Sequence, residues 1–386
     1  MLIAIRKILF LHWSVTALRV PLVSTLLACL APWASSADLI LVGGHIYTAD
    51  AQSPEAEAVV IEGDTIVYVG SRQGAERYRT PATRVINTEG KMVLPGFHDA
   101  HLHTFMGGRS LVGCDVAGAP DIESTEAILK SCLVSSSSWL VAEGLNLAFF
   151  GESGPLLDWL NVIAGDRPML LRASDGHSVA VNTVALKMAN ITAATSAPPS
   201  GVIERDEYGA PSGTLRESAM ALVEQVVPQL TEQERLNVMR TAIDAINKAG
   251  ITSVFDAWVG APDIVDYRTL EAQNELSIRV RAALAYGYGD LFAVDTPIVY
   301  EQQLKDREAL SGDRFTLAAV KLFIDGVLEG ETAALVSPYL HKPGYQGELT
   351  YPQAELNDIV ANLVNNDLQV YTCLLYTSDA ADEVDR

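Results

Sequence analysis

Apolar and polar positions alternate in short runs between residues 38 and 96, which is typical of β-strands separated by tight turns. The segment DLILVGGHIYTAD predicts two strands joined by a turn at Gly43 and Gly44. The segment AEAVVIEGDTIVYVGS predicts a hairpin that turns at residues 62–64, and TRVINTEGKMVLPG adds two strands. Residues 38–96 are therefore predicted to form a small all-β unit, too small to bury a generous core.

After residue 96 the pattern changes to helices that alternate with apolar strands. Thr231 and Glu234 have the spacing of a capping box, an amphipathic helix follows, and Gly250 ends it before the strand ITSVFDA. The runs IRVRAALAY (278–286) and TLAAVKLFID (316–325) are almost continuously apolar, as strands covered on both faces are. At this length the alternation predicts a (β/α) barrel of the TIM type in an α/β fold.

The predicted barrel covers residues 97–372 and is incomplete. Residues 105–230 are less regular, and we interpret them as a long insertion that helps to roof the site. Pro352 opens an amphipathic helix, and the strand LQVYT follows it. The final segment, CLLYTSDAADEVDR, has neither strand alternation nor a helical stripe. Back-translated, it looks like a sequencing-library adapter, so residues 373–386 are predicted to be a non-native tail on a fragment; a natural acidic tail is the alternative.

The first 37 residues are predicted to be a secretory signal peptide. Arg6 and Lys7 precede the apolar stretch VPLVSTLLACLAPW, and the small residues ASSA end at Ala37. We therefore expect export to the periplasm or the extracellular space, without a stable membrane span. Lipoprotein anchoring through Cys29 is a weaker alternative.

Composition excludes some classes of partner. The chain has 386 residues, 49% of them hydrophobic, and a formal net charge of −21, which disfavours nucleic acid and anionic membranes as partners. Without Cys29, three cysteines remain, at positions 114, 132 and 373, in no zinc-binding spacing. Two unpaired thiols at Cys114 and Cys132 are the simpler expectation, and a bridge between them in an oxidising compartment is the alternative.

Three of the seven histidines lie within the motif FHDAHLH. Residues i and i+2 of a strand point to the same side, so His101 and His103 project together, whereas His98 projects away. Two adjacent imidazoles are half of a metal site, and zinc suits such ligands best. The alternative is a pair of polar groups without a ligand. We predict His101 and His103 as metal ligands.

Lys321 lies within an apolar strand, where burial lowers the pKa of an amine. A neutral amine can take up carbon dioxide, and the resulting carbamate offers two oxygens to one or two metals. An ion pair with Asp325 or Glu329 is the alternative, and the residues alone do not decide between them.

Weaker candidates lie in loops or at strand ends. His177 and Asp175 occur in SDGHS, and either could contact a substrate. Asp256 and Asp325 end apolar strands, where barrel active sites form, although either could instead cap the next element. Glu217 could brace the insertion.

Several motifs in the same order resemble the amidohydrolase superfamily. They are VGGHIYTAD, EGDTIVYVG, VLPGFHDAHLH, DRPMLLRASDGHSVAVNTVAL, GTLRESA, GITSVFDA and AVKLFIDGVLEGETAAL, and the later ones resemble the branch that includes N-substituted formamide deformylases. The resemblance implies a metal-bearing barrel and a β-sandwich of which residues 38–96 are the N-terminal part. It also implies His101 and His103 as metal ligands, a carbamylated Lys321, and His177 near the substrate.

The implied activity is hydrolysis of a non-peptide C–N bond in a small amide or formamide by a metal-activated water. Cys373 stands where the family has its next motif, His-Ala-x-Gly-Asp, so this chain is expected to be inactive while its intact parent is active. His177 is expected to have a catalytic or substrate-binding role, and Asp325 a substrate-binding one. Deamination of a heterocycle on the same scaffold and a non-catalytic exported binding protein are the alternatives.

Overall fold

The computed structural model describes residues 37–133, 138–150, 157–198, 201–286, 297–326, 328, 331–340 and 342–373. Residues 1–36, with nearly all of the predicted signal peptide and Cys29, lie outside the described residues, as do Glu329 and 374–386 of the predicted tail. The chain divides into two compact units, Met1–Pro95 and Gly96–Arg386.

The first unit is a five-stranded sheet. Its strands are β1 (Leu39–Tyr47), β2 (Glu55–Glu62), β3 (Thr65–Gly70), β4 (Arg84–Asn87) and β5 (Met92–Val93), and helix α1 (Arg72–Ala75) follows β3. The strand order is β3-β2-β1-β4, and β5 also pairs with β1. A small core contains Ile40, Val42, Ala58 and Val60. The predicted hairpin at residues 62–64 is present between β2 and β3.

The predicted turn at Gly43 and Gly44 is wrong. Both glycines lie inside β1, which pairs with β2 on either side of them and changes register between Val42 and Ile46. Their φ angles are +76° and +67°, which suit a bulge as well as a turn. A Cβ on Gly44 would lie 2.3 Å from the carbonyl oxygen of Thr88, so only glycine fits there. The chain thus bends without reversing.

The second unit contains a five-stranded parallel sheet that we call the barrel sheet. Its strands are β6 (Phe97–Leu102), β13 (Ile251–Val259), β14 (Arg279–Ala285), β15 (Phe315–Phe323) and β16 (Gln369–Cys373). They are ordered β16-β15-β14-β13-β6, and every neighbouring pair is parallel, as the apolar runs predict. Tyr371 of one edge strand hydrogen-bonds to His101 of the other, so the sheet is curled into a half-barrel.

The described helices of the second unit are α2 (Thr104–Val112), α3 (Ile122–Leu133), α4 (Leu157–Ala164), α5 (Thr183–Met188), α6 (Ala221–Glu224), α7 (Glu232–Lys248), α8 (Ala261–Ala272), α9 (Pro297–Leu310) and α10 (Gln353–Asn365). Of these, α7, α8, α9 and α10 contact the barrel sheet, whereas α3 and α5 contact strands within residues 114–173. The capping box of α7 is present, with both of its reciprocal hydrogen bonds. Met239 of α7 and Tyr267 of α8 are fully buried in one core with Val280 and Phe315 of the sheet.

The predicted insertion contains a sheet of its own. Strands β7 (Cys114–Asp115), β8 (Leu140–Leu145), β9 (Met169–Ala173), β10 (Ser178–Val181), β11 (Gly201–Arg205) and β12 (Pro211–Glu217) are ordered β11-β12-β10-β9-β8-β7. Its buried side chains form two hydrophobic clusters. The strands and helices of this region are short, which explains why its sequence shows no long periodic pattern. The interpretation of residues 105–230 as an insertion that roofs the site stays a prediction.

Two further observations bear on the sequence predictions. Cys114 and Cys132 form a disulfide, so the preferred expectation of two free thiols is wrong and the alternative holds. Within the described ranges, no helix is long and apolar enough to cross a membrane.

Candidate metal centre

Lys321 lies near the carboxyl end of β15, which is paired with β14 on one side and with β16 on the other. Only 2% of its surface is exposed. Its Nζ lies 4.6 Å from the ring centre of Tyr371 and 5.2 Å from that of Phe323. Burial lowers the pKa of the Lys321 amine, an effect that the Cys373 thiol partly opposes. The ion pairs among the described residues do not include Lys321. The neutral form of the amine is therefore more favoured here than it would be on the protein surface.

The two histidines of the motif come together at the carboxyl end of β6. The ring centres of His101 and His103 are 5.3 Å apart and the ring planes are nearly perpendicular. His103 is the first residue after the strand and the N-cap of α2, with extended backbone angles. The helix start therefore holds the second imidazole beside the first.

The surroundings lower the pKa of both imidazoles, which favours the neutral form. Burial, followed by the charges of His101 and Lys321, lowers the pKa of His103 to about 4. Burial and then Lys321 lower the pKa of His101, against an opposing effect of Asp99. The shared dependence on Lys321 shows that the three side chains lie within electrostatic reach of one another. Neutral imidazole is the form that binds a metal ion.

Tyr371 belongs to this cluster, and sequence reasoning missed it. Its hydroxyl lies 2.8 Å from His101 Nδ1, and Tyr371 is paired in register with Lys321 across β15 and β16. A hydrogen bond at Nδ1 fixes the ring and leaves Nε2 for another partner, as the outer partners of metal-bound histidines do. The sequence does not reveal which residues of two parallel strands are paired. The alternation in QVYT could nevertheless have placed Tyr371 on the face of the sheet that carries Lys321.

The donors fit part of a zinc site. His103 Nδ1 is buried and has no hydrogen-bond partner among the described residues. A buried nitrogen without a partner is costly, and a metal ion would relieve that cost. In the described part of the chain, no three His, Cys, Asp or Glu side chains group closely enough to hold a metal. The donors at hand are the two imidazoles, a ligand type that zinc accepts, and the Lys321 amine beside them.

His177 is hydrogen-bonded to the carboxylate of Glu217. Its Nδ1 lies 3.0 Å from Glu217 Oε2, and its backbone N–H donates to Asp175. Glu217 Oε1 accepts a hydrogen bond from Thr332, in the loop after β15. This chain of contacts connects the insertion to the segment that follows Lys321, although 144 residues separate His177 and Lys321 in the sequence.

The two aspartates at strand ends have structural partners. Asp325 is buried, and its Oδ2 accepts the backbone N–H of Ala334, which organises the loop after β15. Its contact with substrate stays a prediction. Asp256 accepts a 2.7 Å hydrogen bond from the Tyr267 hydroxyl of α8. Burial raises the pKa of Asp256 to about 7, against the opposing effect of that hydrogen bond. Asp256 therefore faces the helix layer.

A cavity of about 870 Å³ begins beside this cluster. His103 and Trp258 line it together with Gly176 and Ser178, the two neighbours of His177. Its wall also carries paired charges: Arg172 bonds to both Glu143 and Glu224, and Arg109 bonds to Glu143. Sequence reasoning missed this network because its members come from four separate elements. The cavity is large enough for a small-molecule ligand.

Comparison with known proteins gives consistent results. A model described as the Amidohydrolase family matches residues 84–386. Protein LONG AFTER FAR-RED 3 of Arabidopsis thaliana is 27% identical over 361 residues, which are 90% of this chain and 60% of that protein. The N-substituted formamide deformylase of Arthrobacter pascens is 27% identical over 248 residues, which are 62% of this chain and 46% of that protein.

A solved structure shares the fold. The crystal structure of an uncharacterized metal-dependent hydrolase from Pyrococcus horikoshii OT3 aligns with a TM-score of 0.64 and 26% identity, over 90% of this chain and 66% of that one. The chain thus spans less than two thirds of the length of the two curated relatives. The family model covers most of the chain, including every candidate ligand, and the chain therefore belongs to the amidohydrolase family.

Proposed function

We propose that the intact protein is a metal-dependent hydrolase that cleaves a non-peptide C–N bond in a small amide, with an N-substituted formamide as the first substrate to test. The observation that carries the proposal is the buried Lys321 amine facing two neutral imidazoles at one end of a curled parallel sheet. The likeness to a formamide deformylase supports the choice of substrate. The curled parallel sheet is consistent with our proposal that the intact protein forms a complete (β/α) barrel.

His101 and His103 would hold a divalent metal, for which zinc is our proposal. When bound, such an ion polarises a carbonyl and lowers the pKa of a water molecule toward neutrality. Tyr371 would keep the His101 ring in place through Nδ1, and Trp258, whose ring centre lies 6.1 Å from that of His103, would shield the second imidazole from solvent. These contacts preorganise the ligands before substrate arrives.

Lys321, converted to a carbamate, would add oxygen ligands to the two histidines. Its neutral amine forms an N–C bond to carbon dioxide and releases one proton, which leaves a carbamate anion with two oxygen donors. Burial favours the neutral amine that this reaction needs. The aromatic rings of Tyr371 and Phe323 exclude water from one side of the group. Two oxygens could serve one metal or bridge two.

His177 would act on the substrate. A hydrogen bond to the scissile amide, or proton transfer to the departing amine, needs an imidazole at the same end of the sheet as the ligands. The contacts of Glu217 with both His177 and Thr332 support that location. Asp325 would contribute by holding the loop that carries Thr332.

The disulfide supports export of the protein. A bridge such as Cys114–Cys132 persists in oxidising compartments and is rare in the cytosol. We therefore retain a periplasmic or extracellular location as a proposal.

The test uses protein from the complete reading frame, with metal content and products measured together. We expect bound zinc, and formate and amine from N-substituted formamides. His101→Asn should lose both metal and activity, whereas His98→Asn, on the same strand, should lose neither. Ammonia from an amino heterocycle, without formate, would identify a deaminase instead. A folded protein with no metal and neither activity would favour the binding protein.

A further inference from the structure

Helix α2 begins after His103 without the side-chain hydrogen bond that fixes many helix starts. His103 is its N-cap, and the imidazole accepts no hydrogen bond from the backbone of the first turn. Good N-caps are Ser, Thr, Asp and Asn, and loss of such a cap typically costs about 1 kcal/mol. The N–H of Gly107 donates to the His103 carbonyl at 2.9 Å and closes the first turn. The turn that carries this candidate metal ligand therefore depends on other contacts.

Arg235 of α7 lies over an aromatic ring in that first turn. The central carbon of its guanidinium group is 4.1 Å from the ring centre of Phe105, two residues after His103. A guanidinium at this distance from an aromatic face is attracted to the ring. Arg235 Nε is buried and has no hydrogen-bond partner among the residues that the structure describes. A buried donor without a partner costs free energy, and the attraction to the ring offsets part of that cost.

Two carboxylates of α8 hold the same guanidinium. Arg235 Nη2 lies 2.8 Å from Asp263 Oδ1 and 2.6 Å from Asp266 Oδ2. All three side chains are largely buried, and that of Asp266 is only 3% exposed. Charge-assisted contacts of this kind are stronger than those between neutral groups. The ion pairs therefore restrict the movement of the guanidinium that contacts Phe105.

The ion pair with Asp263 also reaches a second segment beside His103. Asp263 Oδ2 accepts the N–H of Gly260, the N-cap of α8, at 2.9 Å. Two residues before Gly260 is Trp258, whose ring centre is 6.1 Å from that of His103. Arg235 therefore joins the turn that follows His103 to the segment that follows Trp258.

We propose that Arg235 is a positioning residue for the metal centre, which holds the first turn of α2, and with it the His103 imidazole, through Phe105. This inference rests on the ligation of a metal by His103 in the proposed function. No hydrogen bond or ion pair joins Arg235 to His103 in the described part of the chain, so the effect passes through Phe105. A ligand that is already held in place binds without the free-energy cost of ordering it.

The competing interpretation is that Arg235 only joins α7 to α8. The two kinds of contact can be separated: Phe105→Leu removes the ring and leaves both ion pairs, whereas Asp266→Asn weakens one ion pair and leaves the ring. Arg240→Met is the matched control. Arg240 lies on the same helix and pairs with Glu275, and its described polar partners follow α8 rather than lie in α2.

The first test measures zinc affinity by competition with a chromophoric chelator, on protein from the complete reading frame. Arg235→Met and Phe105→Leu should each lower the affinity about 10–100-fold, and the double variant should be no worse than the more affected single variant. Asp266→Asn should have a smaller effect, and Arg240→Met should stay within about 3-fold of the wild type. Urea unfolding is measured in parallel. A less stable Arg235→Met with unchanged zinc affinity would overturn the proposal in favour of a purely structural role.

The second test needs neither metal nor substrate. Hydrogen exchange of the metal-free protein, followed in a proteolytic peptide that contains Gly107, reports the opening of the first turn of α2. We expect exchange to be about 10-fold faster in Arg235→Met and Phe105→Leu than in the wild type and Arg240→Met. Equal exchange in all four proteins would overturn the proposal. If the wild type binds no zinc, the proposed function fails, while the exchange result still decides whether Arg235 holds this turn.

Discussion

Lys321 of β15 and Asp256 of β13 are both buried ionisable side chains of the barrel sheet, each only 2% exposed, and their surroundings differ completely. Asp256 faces the helix layer, where Tyr267 donates a hydrogen bond to it. Lys321 faces aromatic rings and two neutral imidazoles. Location near a strand end therefore does not identify a site residue. The face of the sheet on which a side chain lies does identify one, because one face packs against helices and the other carries the candidate metal centre.

Exchange of Lys321 should have the largest effect on activity. Lys321→Met removes the proposed carbamate donor. Loss of a residue that only positions a metal ligand can cost up to about 100-fold in activity, and we expect the loss of kcat here to be larger. Asp256→Asn, the matched control on the other side of the sheet, should stay within about 3-fold because Tyr267 keeps an acceptor. Initial rates of formamide hydrolysis measure both. An equal loss of kcat in the two variants would contradict the assignment of the active site to the face that carries Lys321.

The same exchange should not destabilise the metal-free fold. Burial of an amine costs free energy, and an apolar side chain of similar length avoids that cost. Urea unfolding of metal-free Lys321→Met should give a free energy of unfolding equal to or above that of the wild type. A loss of several kcal/mol would assign Lys321 to the structure of the sheet.

Asp256 should make stability fall as the pH rises. Burial raises the pKa of Asp256 to about 7 in the folded protein, against about 3.9 in the unfolded chain. Between these values the folded state binds more protons, so the free energy of unfolding decreases from about pH 4 to pH 7, by at most about 4 kcal/mol. Urea unfolding of the wild type and Asp256→Asn at pH 5 and pH 8 measures the difference between their pH slopes. Identical slopes would contradict the buried, protonated carboxyl.

Tyr371→Phe should have a smaller effect, confined to the metal side of the sheet. It removes the hydrogen bond to His101 Nδ1 and keeps the ring that covers Lys321. We expect metal affinity to fall about 10–100-fold, as for other outer partners of ligand histidines. Tyr267→Phe is the control, since it removes the partner of Asp256 and should change stability without changing metal affinity. Competition with a chromophoric chelator measures both affinities.

Local patterns account for much of the fold. The capping box and periodicity of α7 and the apolar runs of β14 and β15 each depend on neighbouring residues, so the sequence predicts them. The glycine pair in β1 fits a turn and a bulge equally well, and only the pairing with β2 decides between them.

The candidate site was only partly predictable. His101 and His103 lie two residues apart, and the burial of Lys321 follows from its apolar neighbours. The partners of His101 and His177 come from positions 371 and 217, and only the tertiary fold brings them together. The positive φ of Glu217, +50°, carries no signal at all in its residue type.

The central claim is that His101, His103 and Lys321 hold a metal that the hydrolysis requires. It is tested most directly by stripping the protein of the complete reading frame with a chelator and titrating zinc back while formate release from an N-substituted formamide is followed. We predict no activity in the stripped protein and full recovery at one or two zinc ions per chain. Undiminished formate release from protein that contains less than about a tenth of a metal ion per chain would contradict the account.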